Sequence, residues 1–439
     1  MRNIRTVTIL GANGNVGSQC AGIIAGFGGV VVHMLARNID KAEFGIERAI
    51  QSIRSDSIRE QLIAGTYDHD LKEAIQDSDW VLEVVAEDYT TKSSLLSLVD
   101  PYLKPGTIVS SGTSGLSIEQ LSKALKPEAR HCFFGTHFFN PPYKMLLCEF
   151  ISSSQADPEV TEMLSSFLSK TLRRQVVHVA DSPAFAGNRI GFLMLNLAVQ
   201  LAQQHKDRGG IPFIDTILGG FTGRVFPLLK TIDLVGLDIH KAIVDHIYAG
   251  ADSREERDMF LLPDFMQHLI NLGRIGRKAR QGLYDYVAVP GSTGAGQCYD
   301  ILTGQYQPVP EIQIEFADRA NALIRVSDYS GAVNVIRREQ SLEGEICRYV
   351  LARYIGYAFS LVGTVVPDRE SLDKVMGFGF NWVPPSAWVD LLGGVKETVR
   401  FLEQAGVTPP GVLLEAGVNG PCYTLKKILD PRSLFRANC

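Results

Sequence analysis

The amino-terminal segment carries the pattern that most restricts the fold of this chain. An apolar run that alternates threonine with aliphatic residues, residues 5–10, leads directly into a glycine-rich stretch at residues 11–17, and a helix-like segment follows. A second apolar run at residues 30–32 closes a strand-helix-strand unit. In such a unit, the loop N–H groups and the positive end of the helix cradle a pyrophosphate. The pattern predicts a doubly wound α/β domain that binds a dinucleotide, with a structural tight turn as the alternative.

The loop and the end of the next strand supply the candidate cofactor-binding residues. The glycine spacing is one residue longer than the usual Gly-x-Gly-x-x-Gly. Where an acidic residue would bind the free 2'-hydroxyl of the adenosine ribose, residues 34–37 offer no carboxylate and end in an arginine, which can pair with a 2'-phosphate. This arginine is either an NADP contact or a surface charge, so the choice between NAD and NADP stays open. The candidates are Gly11, Asn13, Gly14, Asn15, Val16, Gly17 and Arg37.

A histidine and a glutamate lie twelve residues apart around a proline-marked reversal. Residues 133–139 and 145–150 are typical of strands, and residues 140–142 bend the chain between them. If the two strands pair antiparallel, His137 lies opposite Glu149 on the same face. A glutamate bound to one imidazole nitrogen fixes the tautomer and leaves the other nitrogen free to take a proton from an alcohol. The spacing indicates an acid/base dyad, with a buried structural pair as the alternative.

Five segments in this order resemble the L-3-hydroxyacyl-CoA dehydrogenase family over most of the chain. They are residues 81–88 with Lys92, residues 107–118, the segment around His137 and Glu149, residues 181–189 and residues 276–284. The resemblance implies a Rossmann-type doubly wound domain followed by helical domains. It also implies an oxidoreductase of fatty acid metabolism that interconverts a 3-hydroxyacyl-CoA and a 3-oxoacyl-CoA by hydride transfer, with NAD as the favoured cofactor.

The resemblance further implies roles for particular residues. Those at the reacting end of the substrate are His137 as catalytic acid or base, Glu149 as its orienting partner, Ser114 and Asn188. Those that approach the cofactor are Ser114, Asn140, Glu87, Lys92 and Lys278. Without the resemblance, the serine and asparagines have ordinary interpretations as helix caps, and the charged residues as exposed pairs.

Two departures from the family pattern concern the substrate. Gly112 stands where the family usually has an asparagine, so one amide at the reacting end is lost. The family carries a lysine-rich helical pair that grips the CoA phosphates, whereas the corresponding basic residues here are only Lys41, Arg48, Arg54 and Arg59. Two other functions therefore stay open: a related dehydrogenase of a polyol acid such as L-gulonate, and a non-catalytic dinucleotide-binding protein.

Composition narrows the class of protein. The 439 residues, 45% of them hydrophobic, can bury two or three cores. A net charge of -5 and the lack of a basic run predict no nucleic-acid partner. Seven scattered cysteines without a metal-type spacing predict reduced thiols, a cytoplasmic location and no metal. With no leader before the first strand and no long uncharged apolar stretch, neither secretion nor a membrane span is expected.

Beyond residue 180, the pattern is helical and repeats weakly. Asp215 and Asp233, with a Gly-Phe pair between them, are echoed by Asp373 and Asp390 with the same pair between them. The alternative to a duplication is two unrelated helical segments that share turn residues. Helices are expected at residues 188–204, 212–218, 239–249 and 343–361.

A glycine- and serine-containing stretch at residues 291–296 reads as a linker between the two copies. The predicted organisation is a dinucleotide-binding domain at 1–180, a helical substrate or dimerisation domain at 181–290, a linker at 291–335 and a second helical copy at 336–439. No segment resembles an enoyl-CoA hydratase, so we expect less than the full multifunctional enzyme. Acyl chain length, reaction direction and association with further copies of the chain stay open.

Overall fold

The computed structural model describes residues 4–251, 253–287, 296–415 and 421–436. By their internal contacts the residues form two compact units. Unit 1 comprises Met1–Phe185 with Val365–Pro367, and unit 2 comprises Ala186–Thr364 with Asp368–Cys439. The predicted fold class, a doubly wound α/β domain followed by helical structure, is confirmed.

Unit 1 alternates strands and helices. Its strands are β1 Thr6–Leu10, β2 Val31–Ala36, β3 Leu62–Thr66, β4 Trp80–Glu83, β5 Ile108–Ser111, β6 Phe133–Phe138, β7 Leu147–Ser152 and β8 Gln175–Val179. Its helices are α1 Asn15–Gly28, α2 Ile39–Ile53, α3 Leu71–Asp77, α4 Tyr89–Val99, α5 Ile118–Ser122, α6 Pro127–Arg130 and α7 Pro158–Ser166.

The strands of unit 1 form one sheet in the order β3-β2-β1-β4-β5-β6-β7-β8. Neighbouring strands are parallel except β6 and β7, which are antiparallel. Every residue of β4 and β5 is buried, as expected for central strands of a parallel sheet covered on both faces. Because β1 lies between β2 and β4, the strand order reverses there and opens a crevice at the carboxyl ends of these strands.

Unit 2 is mainly helical. Its helices are α8 Gly187–Gln204, α9 Gly210–Ile217, α10 Leu228–Val235, α11 Leu237–Gly250, α12 Arg254–Met259, α13 Asp264–Asn271, α14 Glu315–Arg325, α15 Tyr329–Arg338, α16 Leu342–Ser360, α17 Arg369–Gly379, α18 Pro385–Leu391, α19 Val395–Gln404 and α20 Gly411–Leu414. Its strands are β9 Tyr284–Asp285, β10 Gln297–Asp300 and β11 Gln305–Pro308.

The segment predicted as a linker is largely ordered where it is described. Most of the glycine- and serine-containing stretch, residues 291–295, lies outside the described residues. The residues that follow form β10 and β11, which pair with β9 in a small antiparallel sheet, and then α14. The predicted linker at 291–335 thus contains two strands and a helix in its described part, which the sequence did not reveal because short strands without apolar alternation give little periodic signal.

The two repeated motifs use their aspartates in the same way. Asp233 is fully buried and accepts hydrogen bonds from the backbone N–H groups of two residues fifty positions later, at 2.7 and 2.8 Å. Asp390 likewise accepts from two consecutive backbone N–H groups, at 2.6 and 3.1 Å. Asp215 and Asp373 each accept from a backbone N–H near the start of the next helix, at 2.8 and 3.0 Å.

The motifs also meet each other within unit 2. Arg224 and Trp382, each nine residues after the first aspartate of its motif, form an antiparallel backbone bridge. The Arg224 guanidinium lies 5.0 Å from the Trp382 ring centroid, a cation-π distance. A Cβ on Gly191 of α8 would lie 2.1 Å from the Phe380 ring, so glycine is required for this close approach. These contacts bring the two motifs together within unit 2.

None of the helices in the described ranges combines the length and the apolar character needed to cross a bilayer. In the same ranges, no cluster of three or more His, Cys, Asp or Glu side chains is arranged to hold a metal ion. The six described cysteines are buried free thiols.

Candidate active site

Glycines shape the loop between β1 and α1. Gly11 has a φ of 88°, a left-handed conformation that favours glycine. A Cβ on Gly17 would lie 2.5 Å from the Gly11 carbonyl oxygen, so only glycine lets α1 start this close to β1. The N-cap residue of the 14-residue helix α1 is Gly14, which makes no side-chain hydrogen bond. First-turn N–H groups without a side-chain cap suit a phosphate, so the loop fits a dinucleotide pyrophosphate.

Asn15 links this loop to two other elements of unit 1. Its Nδ2 donates to Asn140 Oδ1 at 2.6 Å, and Asn140 lies just beyond β6. The guanidinium of Arg48 in α2 donates to Asn15 Oδ1 at 2.6 Å and to the Asn13 carbonyl at 3.3 Å. Val16 is partly buried against the core. The structure thus brings together Asn13, Asn15 and Asn140, all three predicted from sequence.

The carboxyl end of β2, beside which the adenosine of a dinucleotide would bind, has no acidic side chain. Leu35 and Ala36 are buried, and Arg37 is exposed one residue beyond the strand. Tyr67, which follows β3, accepts a hydrogen bond from the Gly11 N–H at 2.8 Å on its hydroxyl oxygen. Burial raises the pKa of Tyr67, and the charge of Arg37 acts in the opposite direction. A positive side chain therefore stands near the position where the family fold binds the ribose.

A buried ion pair joins the end of β4 to α4. Lys92 is 1% exposed, and its Nζ donates to Glu83 Oε1 at 2.8 Å. Glu83 has no exposed surface, and its other carboxylate oxygen accepts from the Ser111 hydroxyl at the end of β5, at 2.5 Å. The Lys92 Nζ also lies 3.5 Å from Glu87 Oε2. The lysine ammonium faces two carboxylates, so Lys92 stabilises the loop after β4 from the protein interior.

Glu87 carries this network to the loop after β5. Its Oε1 accepts from the Thr113 hydroxyl at 2.5 Å and from the Ser114 N–H at 2.7 Å. Ser114 is not the cap of the helix that follows, because the N-cap of α5 is Ser117. The simple cap interpretation of Ser114 is therefore wrong, and its position is determined by Glu87.

The histidine and the glutamate lie directly opposite each other on β6 and β7, as the spacing predicted. His137 Nδ1 lies 2.7 Å from Glu149 Oε2. His137 is 5% exposed and Glu149 has no exposed surface. The rings of Phe139 and Phe185 pack on the imidazole, with centroids 4.5 and 5.9 Å away. A carboxylate accepts hydrogen bonds, so this geometry suits Nδ1 as the donor to Glu149 and leaves Nε2 on the opposite side of the ring.

A buried arginine holds the connection between β6 and β7. Arg174 is 4% exposed, and its guanidinium donates to the carbonyls of Leu172 and Pro142, both at 2.9 Å, and to that of Met145 at 3.4 Å. Burial lowers the pKa of Arg174. Since two of these carbonyls belong to the turn between the strands, Arg174 stabilises the geometry of the hairpin that carries the dyad.

The remaining two predicted residues belong to unit 2. Asn188 is buried in the first turn of α8, whose N-cap is Ala186, so the interpretation of Asn188 as a helix cap is wrong. Lys278 is half exposed, and its Nζ lies 2.7 Å from a carboxylate oxygen of Asp238.

Sequence reasoning missed Glu83, Tyr67 and Arg174. Glu83 and Tyr67 could have been found as polar residues at or just beyond the carboxyl ends of strands, where doubly wound proteins bind ligands. Arg174 has no such signal, because the turn carbonyls that it binds lie about thirty residues away in sequence.

Comparison with known proteins identifies the family to which the chain belongs. Residues 6–182 match the family model "3-hydroxyacyl-CoA dehydrogenase, NAD binding domain", and residues 185–286 match "3-hydroxyacyl-CoA dehydrogenase, C-terminal domain". The chain belongs to the 3-hydroxyacyl-CoA dehydrogenase family, whose amino-terminal domain binds NAD.

Individual relatives agree with the family model. A probable 3-hydroxyacyl-CoA dehydrogenase of Deinococcus radiodurans is 32% identical over 250 residues, 55% of this chain and 70% of that protein. One from Bacillus subtilis is 30% identical over 350 residues, 78% of this chain and 42% of that protein. The crystal structure of 3-hydroxybutyryl-CoA dehydrogenase from Escherichia coli has the same fold, with a TM-score of 0.68, 21% identity and coverage of 94% and 98% of the two chains.

The chain spans about half the length of several of the curated relatives it matches, with 42% and 52% of their residues covered in two cases.

The buried ion pair generates a stability prediction. Lys92→Met leaves the Glu83 charge buried without its partner, which is expected to lower the free energy of unfolding by about 3 to 5 kcal/mol. The double variant Glu83→Gln with Lys92→Met is expected to lose less, because neither residue then carries a charge. Urea denaturation followed by tryptophan fluorescence measures both.

Lys126→Met is the matched control, because Lys126 is exposed and lies 3.5 Å from Asp100 at the surface. Its effect is expected to stay below about 1 kcal/mol. Equal losses in Lys92→Met and Lys126→Met would contradict the importance of the buried pair.

Proposed function

We propose that the protein interconverts a 3-hydroxyacyl-CoA and the corresponding 3-oxoacyl-CoA by hydride transfer to or from NAD. The observation that carries the proposal is the buried hydrogen bond between His137 and Glu149 at 2.7 Å. His137 lies near the carboxyl end of β6, which runs parallel to β5. It therefore stands at the same edge of the sheet as the glycine loop, where a dinucleotide binds.

The dyad manages the proton of the reaction. In the oxidation direction, His137 Nε2 takes the proton of the substrate hydroxyl while the carbon loses a hydride. The imidazolium that forms is stabilised by the Glu149 carboxylate, which faces Nδ1 in a site shielded by Phe139 and Phe185. In the reverse direction, the same Nε2–H donates to the carbonyl oxygen.

The other residues position the reactants. NAD, when bound, accepts or supplies the hydride. In this proposal, Ser114 hydrogen-bonds the reacting oxygen, and Asn140 and Ser114 orient the nicotinamide end. Glu87 supports this by fixing the Ser114 backbone at 2.7 Å. The roles of Asn188 and Lys278, in unit 2, rest on the family resemblance alone.

Removal of the imidazole tests the dyad. His137→Gln is expected to lower turnover of acetoacetyl-CoA with NADH by about 10²- to 10⁴-fold, the usual contribution of a positioned acid or base. NADH affinity and the melting temperature are expected to change little, because glutamine retains an amide that can face Glu149. Absorbance of reduced nicotinamide measures turnover, and NADH fluorescence measures binding.

His131→Gln is the control, because His131 is an exposed histidine near the start of β6. It is expected to keep parental turnover. Turnover by His137→Gln within about threefold of the parent would reject the dyad assignment. Turnover of L-gulonate but not of acetoacetyl-CoA by the parent protein would favour the polyol acid alternative.

Recognition of CoA, the carrier part of the substrate, depends on positive charge near its phosphates. Between β2 and β3, the chain forms only α2 and a short 3-10 turn at Asp56–Gln61. Two of its basic side chains are already engaged: Arg48 with the glycine loop, and Arg59 with Glu47 at 2.7 Å. This arrangement offers CoA phosphates little positive charge, so we expect recognition to depend mainly on the acyl thioester end.

Cofactor choice is a second part of the proposal. Arg37 supports measurable binding of NADP(H) beside NAD(H), because an exposed guanidinium beyond β2 can pair with a 2'-phosphate. Arg37→Asp is expected to weaken NADP(H) and leave NAD(H) unchanged or tighter. Calorimetric titration of both cofactors checks this; NADP(H) binding more than about a hundredfold weaker than NAD(H) in the parent would reject the role of Arg37.

We also infer that unit 2 contains a duplicated motif, one copy around α8 to α11 and the other around α16 to α19. The equivalent aspartate contacts and the bridge between Arg224 and Trp382 support this. The second copy then covers the apolar face that a single copy would expose.

A shortened protein tests the internal pairing. A chain that ends after Val287 is expected to expose the surface of α8 around Gly191, and to dimerise with rising concentration or to aggregate. Sedimentation velocity of the short and full chains measures this. A short form that is soluble, active and monomeric at all concentrations would contradict the pairing.

The buried free thiols support the expectation of a reducing compartment such as the cytoplasm.

A further inference from the structure

Val84, the first residue beyond β4, touches three glycines from different parts of unit 1. Its N–H donates to the Leu10 carbonyl at the end of β1, at 2.9 Å. A Cβ added to Gly11 would lie 2.8 Å from the Val84 carbonyl oxygen. A Cβ added to Gly17 would lie 3.0 Å from Val84 Cγ2, and one added to Gly112 would lie 2.6 Å from Val84 Cγ1. Val84 therefore fills the space that side chains at these three glycine positions would need.

The two methyl groups of Val84 face two different glycines, Cγ1 toward Gly112 and Cγ2 toward Gly17. A β-branched side chain has few alternative rotamers, so Val84 cannot yield easily. The Gly112 backbone is also held, because its N–H donates to the Glu83 carbonyl at 2.7 Å. A side chain at position 112 and a valine at position 84 consequently exclude each other.

This contact explains the departure at Gly112. The family pattern has an asparagine there, and the sequence alone suggests that Gly112→Asn would restore a useful amide. In the structure, the first atom of that side chain would overlap with the Val84 methyl group. Gly112 is thus one half of a matched pair, and replacing it alone creates a clash.

The location of the pair determines which part of the cofactor it affects. The pyrophosphate belongs at the start of α1, and the adenosine belongs on the β2 side, near Arg37 and Tyr67. Val84 and Gly112 follow β4 and β5, on the opposite side of β1. They therefore line the half of the crevice that receives the nicotinamide and its ribose.

We propose that Val84 and Gly112 act together as a specificity-determining pair that sets the depth of the nicotinamide half of the cofactor site. The inference rests on the proposed NAD-dependent function. In this half of the crevice, a Val84 methyl group takes the place of the family's asparagine side chain. A side chain at position 112 fits only when residue 84 is small.

A double-mutant cycle on the full-length protein tests the pair. Gly112→Ala is expected to weaken NADH binding by about tenfold or more, because one added carbon overlaps with Val84. The double variant Val84→Ala with Gly112→Ala is expected to return to within about threefold of the parent. Gly411→Ala is the matched control, because a Cβ there would meet only Glu415 Oε1, at 4.0 Å, and it is expected to bind NADH as the parent does.

ADP binding is the second measurement, because a purely structural effect of the substitution would weaken ADP and NADH binding alike. It contains the adenosine half and the pyrophosphate, but no nicotinamide. Gly112→Ala is expected to bind ADP within about threefold of the parent while it loses NADH affinity. Fluorescence titration for NADH, calorimetry for ADP and melting temperatures for all variants complete the set.

The outcomes distinguish this inference from the proposed function. If the parent does not bind NADH, the proposed function fails. If the parent binds NADH but the double variant binds it no better than Gly112→Ala does, or if ADP and NADH weaken equally, the pair is overturned. If Gly112→Ala is insoluble, the double variant decides: a soluble double variant that binds NADH supports the pair, and an insoluble one overturns it.

Discussion

The position of β1 between β2 and β4 is the constraint on which the candidate site depends. The strand order reverses at β1, so the connections after β1 and β4 leave toward opposite sides and open a crevice between them. Everything placed in that crevice must fit between closely spaced backbones. The glycines at positions 11, 17 and 112 meet this requirement, and Val84 occupies the space they leave.

A buried ion pair supports the loops that line the crevice. Glu83 and Lys92 have almost no exposed surface, so each depends on the other for compensation. Through Ser111, Thr113 and the Ser114 backbone, the same network reaches the loop after β5. Such a network of buried hydrogen bonds connects the end of β4 to the loop after β5 and stabilises the position of that loop.

The dyad illustrates how far local reasoning extends. The even spacing and the prolines between His137 and Glu149 predicted an antiparallel pair of strands, and the structure has that register. Local patterns also predicted the glycine loop and the long helices α8 and α16 to within a residue or two. Each of these features depends on residues close together in sequence. The strands inside the predicted linker at 291–335 escaped local reasoning, because β10 pairs with β9 in a contact that the local pattern does not encode.

The class of the fold, the glycine loop, the dyad and the family can be read from the sequence, because each leaves a periodic or spaced signal within a short stretch. The inward direction of Lys92 toward Glu83, the grip of Arg174 on the hairpin carbonyls and the match of Gly112 to Val84 emerge only in the folded chain. These are contacts between side chains and backbones from separate strands and loops. Their existence depends on volume and burial, which are properties of the packed chain and not of any single segment.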